Sequence, residues 1–164
     1  MSRNRIPIAL QAQTAGKRQP PPTQMMKDDK YGSAAEIMSL PPLKLLAVLQ
    51  DQSASQYSKA KACQRLAVVG DASAVPALRP LLSDPVLSHY ARTALEPMPG
   101  KQVDEALRAA LANLQGRLLI GVISSIGKRR DPEAIVALER LRRGDDVEVS
   151  RAASVALGHI RPVL

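Results

Sequence analysis

The chain lacks both tryptophan and phenylalanine and has only three tyrosines, although 45% of its 164 residues are hydrophobic. Its core must therefore be built from leucine, alanine, valine and isoleucine. Small, aliphatic side chains rich in alanine and leucine favour closely packed helices over sheets. The composition predicts an all-α fold, and the length suffices for one domain with a continuous core.

Cysteine is almost absent as well. Cys63 stands alone, which excludes an internal disulfide and every metal motif that needs several cysteines. It shares an apolar helical stripe with Leu66, so we expect a small buried side chain. The basic neighbours Lys59, Lys61 and Arg65 keep the alternative of a reactive thiol open. We expect no metal and no cofactor.

Long apolar runs are missing too. The densest run, LLIGVI at 118–123, is far shorter than the roughly 18–20 residues that span a bilayer. The N-terminal residues contain no continuous apolar segment of the length found in secretory signals. We therefore expect no membrane span and a cytoplasmic location.

The net charge of +8 is divided unevenly along the chain. Residues 1–30 carry +4, and the much longer segment 31–164 also carries +4. The first segment contains Pro20-Pro21-Pro22, which favours polyproline II and excludes a helix there. We expect residues 1–38 to form a basic, extended or disordered arm, whose partner contacts come from Arg3, Arg5, Lys17 and Arg18.

A short segment recurs four times in the second half of the chain, at intervals of 27, 30 and 31 residues. The copies read AVVG at 67–70, ALEP at 94–97, SSIG at 124–127 and VALG at 155–158. Apolar residues at helical spacing flank each copy. Short helices with a repeat near 30 predict that residues 39–164 form an α-solenoid of stacked antiparallel helix pairs.

Caps and apolar stripes predict the individual helices. We expect helices at about 56–69, 86–95, 103–114, 117–126 and 147–160, with further helices after Pro41, Asp71 and Asp131. Pro80 predicts a kink or an early end of its helix. Gly70 and Gly116 are expected to end helices, and residues 127–130 to form a turn. A further short element is allowed near 34–38.

Residues 59–160 resemble a known family. The segments KAKACQRLAVVGDASAVPALRPLLSD, LSHYARTALEPM and GRLLIGVISSIGKRRDPEAIVALERL are similar to bacterial HEAT-like repeats, the short kind also found in phycobilisome lyases. The resemblance implies a solenoid that serves as a scaffold, as a chromophore-lyase subunit or as a metal-dependent hydroxylase. The hydroxylases hold iron through His-Glu pairs, whereas here Tyr90 follows His89 and Ile160 follows His159. We therefore expect no enzyme activity of that kind.

Basic residues form the most informative constellation on the predicted helices. Arg79 and Arg108 each follow an Ala-Leu pair, 29 positions apart, so we expect them on adjacent rungs of one face. The residue after the third Ala-Leu pair is Glu139, so this row of arginines does not continue there. The residues predicted to contact a partner on the solenoid are Arg79, Arg108, Lys128, Arg129, Arg130, Arg140 and Arg143. A solvated charged surface is the plainer alternative.

The last predicted helix, 147–160, reads as the first member of an unfinished pair. We therefore expect part of its apolar side to be uncovered, with Val155 and Ile160 available to a partner, a second copy or the arm. Taken together, these features predict a non-catalytic interaction scaffold or an accessory subunit of a larger assembly. The predicted partner is a protein, and an acidic protein surface is one alternative for it. Two alternatives stay open: a nucleic-acid-associated protein that uses the basic arm and the arginine face, and an accessory subunit of a lyase-type enzyme.

Overall fold

Helices make up most of the structure, a computed structural model that describes residues 27–28 and 30–161. Its α-helices are α1 (Ala34–Ser39), α2 (Pro42–Gln50), α3 (Gln56–Val69), α4 (Val75–Leu78), α5 (Ser88–Leu95), α6 (Lys101–Ala110), α7 (Gly116–Arg129), α8 (Ile135–Arg142) and α9 (Val147–Ile160). Short 3₁₀ helices adjoin α4 and α8, at Ala72–Ala74, Arg79–Ser83 and Pro132–Ala134. The prediction of an all-α fold is confirmed.

Before α1, two short strands form an antiparallel ladder. These are β1 (Lys27–Asp28) and β2 (Gly32–Ser33), with Lys27 opposite Ser33. No helix in the described part of the chain is long and apolar enough to cross a membrane.

The helices contact one another in chain order. One set of contacts runs from α3 to α5, from α5 to α7 and from α7 to α9, and the α7–α9 contact is the most extensive. The intervening helices pack beside their successors, so that α2 contacts α3, α6 contacts α7 and α8 contacts α9. Between them, α4 and its 3₁₀ extension contact both α2 and α6. Each helix is thus held by neighbours that are close in sequence.

The core is aliphatic, as the composition predicts. Its largest fully buried side chains are leucine and isoleucine, joined by Met98. The three tyrosines stay at the margin, where Tyr31, Tyr57 and Tyr90 are partly buried against the core. Many alanines are also buried in the core, where a small side chain of high helix propensity lets helices pack closely.

The folded part begins earlier than residue 39. The short element allowed near 34–38 is the helix α1, and its Ile37 is fully buried in the core. A capping box fixes the start of α1, since Ser33 accepts from the Glu36 N–H and the Glu36 carboxylate accepts from the Ser33 N–H. The expected boundary between arm and solenoid at 38/39 therefore falls inside α1.

Two of the predicted helices agree with the structure at both ends. The segments expected at 56–69 and 147–160 are α3 and α9, which begin after the side-chain caps Ser55 and Asp146. The break expected at Pro80 is also present, because α4 gives way to the 3₁₀ helix Arg79–Ser83. By contrast, α5 begins at Ser88, two residues later than expected, and α6 runs from Lys101 to Ala110 rather than 103–114.

Of three glycines used to predict helix ends, one ends its helix as expected and two do not. Gly70 does end α3, but with a negative φ of −80°, and its lack of a side chain leaves room for Met98 and the Leu66 carbonyl. Gly116, expected to close a helix, instead begins α7 with φ +52°. Gly127, expected in a turn, is buried within α7, which continues to Arg129 and ends at Arg130 in the left-handed region. Contact with α9 overrides the local tendency of Gly127 to break a helix.

The expectation of an unfinished last pair is only partly met. Two elements, α7 and α8, cover α9 and bury its Ala156 and Leu157. Ile160 is half-buried, whereas Val155 remains 55% exposed. The uncovered apolar surface of α9 is thus narrower than the sequence suggested.

Candidate functional site

Arg108 on α6 is bound inside the chain by two carboxylates. Its guanidinium lies 2.5 Å from Asp131 Oδ2 and 2.8 Å from Glu133 Oε2. The Asp131 side chain is buried, and its other oxygen caps the 3₁₀ helix by accepting from the Glu133 N–H. Burial alone would lower the pKa of Arg108, but the hydrogen bond and charge of Asp131, aided by Glu133 and Asp104, raise it above its ordinary value. Arg108 thus joins α6 to the start of the 3₁₀ helix that leads into α8.

Lys128 and Arg129, expected in a basic turn, lie in the last turn of α7 and point back to α5 and α6. Arg129 Nε is 2.6 Å from Asp104, and its Nη1 donates to the carbonyls of Leu95, Glu96 and Met98. Lys128 Nζ pairs with Glu96 at 3.0 Å. The Arg129 guanidinium thereby satisfies carbonyls at the end of α5 that the helix itself leaves unpaired. The charge of Arg129 is therefore engaged within the fold.

A polar contact between α5 and α7, which the sequence did not suggest, lies beside this cluster. Arg92 donates to the Gly121 carbonyl at 3.0 Å and to Ser125 Oγ at 3.3 Å, while Ser125 donates to Glu96 at 2.7 Å. A side chain on Gly121 would meet the Arg92 guanidinium at 2.6 Å. Burial lowers the pKa of Arg92, and the nearby Glu96 charge opposes that shift. The glycine within LLIGVI was the only sequence signal for this site.

Arg79 differs from Arg108, because it lines an open groove. Two adjoining hollows of about 360 Å³ each lie between the α4 segment and α6, and they share Arg79, Ala106 and Ala109. Gln102 and Glu105 line one hollow, and Asn113 lines the other. Among the described residues, no carboxylate forms an ion pair with the exposed Arg79.

The two arginines do not form a continuous basic face. On α6, Ala106 and Ala109 point into the Arg79 groove. Because successive helical residues turn by about 100°, Arg108 lies on another side of α6, toward Asp131. Arg79 therefore faces one side of α6, and Arg108 leaves α6 on another side, toward the 3₁₀ helix that leads into α8.

The other basic residues predicted to contact a partner lie on the surface. Arg130, Arg140 and Arg143 are exposed, and within the described ranges none of them forms an ion pair. Glu139, the residue expected to interrupt the row of arginines, is half-buried and pairs with Arg142 and Arg161 at 2.8 and 3.4 Å. The local charge of α8 is thereby partly neutralised.

A second, more apolar hollow of about 270 Å³ lies between α7 and α9. Ile120, Ala152 and Val155 form its apolar lining, with Glu148, Arg151 and His159 at its edge. It contains one of the two α9 residues expected to contact a partner, Val155, but not Ile160.

Cys63 is fully buried, as expected from its helical stripe. Burial raises the pKa of its thiol to about 12, so the thiolate that a reactive cysteine needs is not formed near neutral pH. His89 is exposed and stacks edge-on against Tyr90, with ring centroids 5.5 Å apart. The described residues contain no cluster of three or more His, Cys, Asp or Glu side chains that could hold a metal ion.

The predicted arm contacts Arg3, Arg5, Lys17 and Arg18 lie outside the described residues. The chain enters the fold beside the end of α2, where Asp51 accepts from Lys30 Nζ and from Tyr31 Oη, each at 2.5 Å. These two hydrogen bonds, with that from Ser53, lower the pKa of Asp51 well below its usual range. Asp51 therefore anchors the segment that leads from the arm.

Comparison with known proteins adds no family. No family model matches the chain, and no curated protein matches its sequence. The geometry of the described residues is therefore the basis for assigning a function. That geometry offers two open hollows around one unpaired arginine, a smaller apolar hollow, and several cations that are already bound within the fold.

Proposed function

We propose that the chain is a protein–protein interaction scaffold, or a non-catalytic accessory subunit, built as a HEAT-like solenoid. The order of helix contacts is the observation that carries this proposal. Helices that contact their nearest neighbours in sequence can be stacked into an elongated array, and such arrays expose long surfaces to partners. The recurring segment near a period of 30 supports the same arrangement.

The distribution of bound cations favours a protein partner over nucleic acid. Arg108, Lys128 and Arg129 are held by carboxylates of the chain itself, so these three of the seven predicted contact residues have less charge to offer phosphates. Phosphate binding draws its affinity from several cations that release counterions together. The remaining cations lie on three separate segments, in the 3₁₀ extension of α4, at the end of α7 and in or just after α8.

The basic arm fits this proposal as a second contact. Among the described residues, Lys30 and Tyr31, which follow the arm in sequence, are hydrogen-bonded to Asp51 at the end of α2. We infer that the arm orders along a neighbouring protein, where its cations meet an acidic surface.

The test is affinity isolation of the tagged full chain from its native lysate, in parallel with a form that begins at residue 27. Deletion to residue 38 is unsuitable, because it would remove the buried Ile37 and the α1 cap Ser33. We expect one or more proteins to be recovered in a fixed ratio with the full chain, with reduced recovery by the shorter form. A monomer that retains no protein contradicts the proposal. Recovery of nucleic acid that falls steeply with salt favours the nucleic-acid alternative.

A further inference from the structure

We propose that the groove around Arg79 binds an acidic segment of a partner protein, in the manner in which Arg108 binds Asp131 and Glu133 within the chain. The inference rests on the proposed scaffold function and specifies the chemistry of one partner contact. Two junctions of the same molecule, one at Arg79 and one at Arg108, differ in the charges that meet the arginine.

Arg79 and Arg108 occupy equivalent positions. Each follows an Ala-Leu pair whose leucine is fully buried, Leu78 in α4 and Leu107 in α6. The same pair recurs in α8, where Leu138 is also fully buried. The three buried leucines therefore mark equivalent positions in the three helices. In this arrangement Arg79 faces α6, and Arg108 faces the 3₁₀ helix that leads into α8.

The residues that meet the two arginines differ in charge. Asp131 and Glu133 stand six and four residues before Ala137, the alanine of the α8 pair. The positions six and four residues before Ala106 are Gly100 and Gln102, which carry no charge. Gln102 lines the Arg79 groove, so α6 is present there without a carboxylate at these two positions. Glu105 of α6 lines the same hollow, but among the described residues it forms no ion pair with Arg79. At this junction the chain supplies the arginine without the acids that satisfy its counterpart.

The groove has the size and lining of a peptide site. Each hollow, at about 360 Å³, lies within the range of roughly 300–1,000 Å³ that ligand clefts occupy. Ala106, Ala109 and Ala110 give it a low apolar floor, and Gln102 and Asn113 supply amide groups that can pair with an extended backbone. An arginine fork recognises a carboxylate through two parallel hydrogen bonds. The groove therefore fits an extended segment with an acid at its centre.

Charge decides between the candidate occupants. The first 27 residues contain no Asp or Glu, so the arm before β1 offers no side-chain carboxylate to Arg79. A nucleic acid would meet one arginine beside the acidic Glu105, with no aromatic side chain in either hollow for stacking. An acidic protein segment is the occupant that matches both the cation and the apolar floor.

The probe is the acetylated and amidated octapeptide DPEAIVAL, which copies residues 131–138, titrated into the full ¹⁵N-labelled chain. We expect amide shifts confined to residues 76–83 and 102–114, with a Kd of about 0.1–1 mM. Arg79→Gln should weaken binding by at least about tenfold, since it removes a charge-assisted hydrogen bond from an exposed side chain. Glu105→Gln should strengthen binding by about two- to fivefold, because it removes a repulsive charge from the same hollow.

Two controls keep the outcome specific. Arg130→Gln removes an exposed cation elsewhere and should leave the affinity unchanged, and the neutral peptide NPQAIVAL should not bind. Equal binding by wild type and Arg79→Gln, shifts outside the groove, or no shifts at millimolar peptide would each overturn the proposal. So would Arg79-dependent shifts produced by a dT10 oligonucleotide and not by the peptide. If partners are recovered equally by wild type and Arg79→Gln, the scaffold function stands and the groove proposal fails.

Discussion

Two glycines on contacting helices give a sharp test of the packing between α7 and α9. Intrinsic helix propensity predicts that replacing either Gly127 or Gly158 by alanine stabilises the chain by about 0.5–1 kcal/mol. The structure predicts opposite signs for the two. A Cβ on Gly127 would lie 2.8 Å from Ala156 Cα and 3.0 Å from its Cβ, whereas a Cβ on Gly158 meets nothing within 4 Å.

The magnitude follows from the atoms that must move. At Gly127 the obstacle is the backbone of α9, which cannot rotate away as a flexible side chain would. Forcing an extra methyl group into a packed contact costs about 1–3 kcal/mol, which outweighs the propensity gain. We therefore expect Gly127→Ala to lower the free energy of unfolding by about 1–2 kcal/mol and Gly158→Ala to raise it by about 0.5–1 kcal/mol.

The assay is urea unfolding followed by circular dichroism at 222 nm, which suits a chain without tryptophan. The midpoint should move in opposite directions for the two variants with unchanged m-values. Thermal unfolding should show Gly127→Ala lower in Tm by roughly 3–8 °C. If both substitutions stabilise the chain, α7 and α9 do not approach as closely as the structure has it, and the account of Gly127 is wrong.

Three further predictions concern charged and reactive groups. Asp131→Ala removes both a helix cap and the buried partner of Arg108, so the free energy of unfolding, measured by urea titration, should fall by about 2–3 kcal/mol. The control Glu133→Gln, at an exposed partner of the same arginine, should lower it by less than about 1 kcal/mol. Since the pKa of Asp51 is lowered in the fold, its stabilising effect is present above its unfolded pKa near 4 and is lost as pH falls through the lower folded value. Hydrogen-exchange protection factors at 30–37, which correct each rate for its intrinsic pH dependence, should therefore fall in acid, and Asp51→Asn should abolish that fall. The Cys63 thiol, with a pKa near 12, should react with a disulfide reagent at pH 8 only as fast as the chain opens, and rapid native labelling would contradict its burial.

Local signals in the sequence were sufficient for the helices whose ends depend on their own caps. Ser55 and Asp146 mark the starts of α3 and α9, and an aliphatic composition was enough to predict a helical core. Gly127 could not be interpreted in this way, because its role depends on Ala156, a residue 29 positions later on another helix. The glycine rule describes an isolated helix end, whereas here tertiary packing decides.

The candidate site shows the same division. The sequence predicts one shared face for Arg79 and Arg108 because each follows an Ala-Leu pair, whereas in the structure the two lie on different sides of α6. Asp131 was interpreted as a helix cap, which it is, and its second role as the partner of Arg108 needs two helical segments to meet in space. Arg108 is paired with carboxylates and Arg79 is not, and this difference depends on the residues that face each arginine in the folded chain.

The most direct test of the central claim is cross-linking of the native complex by a lysine-reactive reagent, followed by mass spectrometry. Lys101 is exposed at the start of α6 beside Gln102 of the Arg79 groove, whereas Lys44 is exposed on α2, which contributes no residue to the lining of the groove. If this chain is a scaffold that seats an acidic partner segment in that groove, cross-links to a partner should concentrate at Lys101 and decline in the Arg79→Gln variant. Partner cross-links that avoid Lys101, or a chain that forms none at all, would contradict the account.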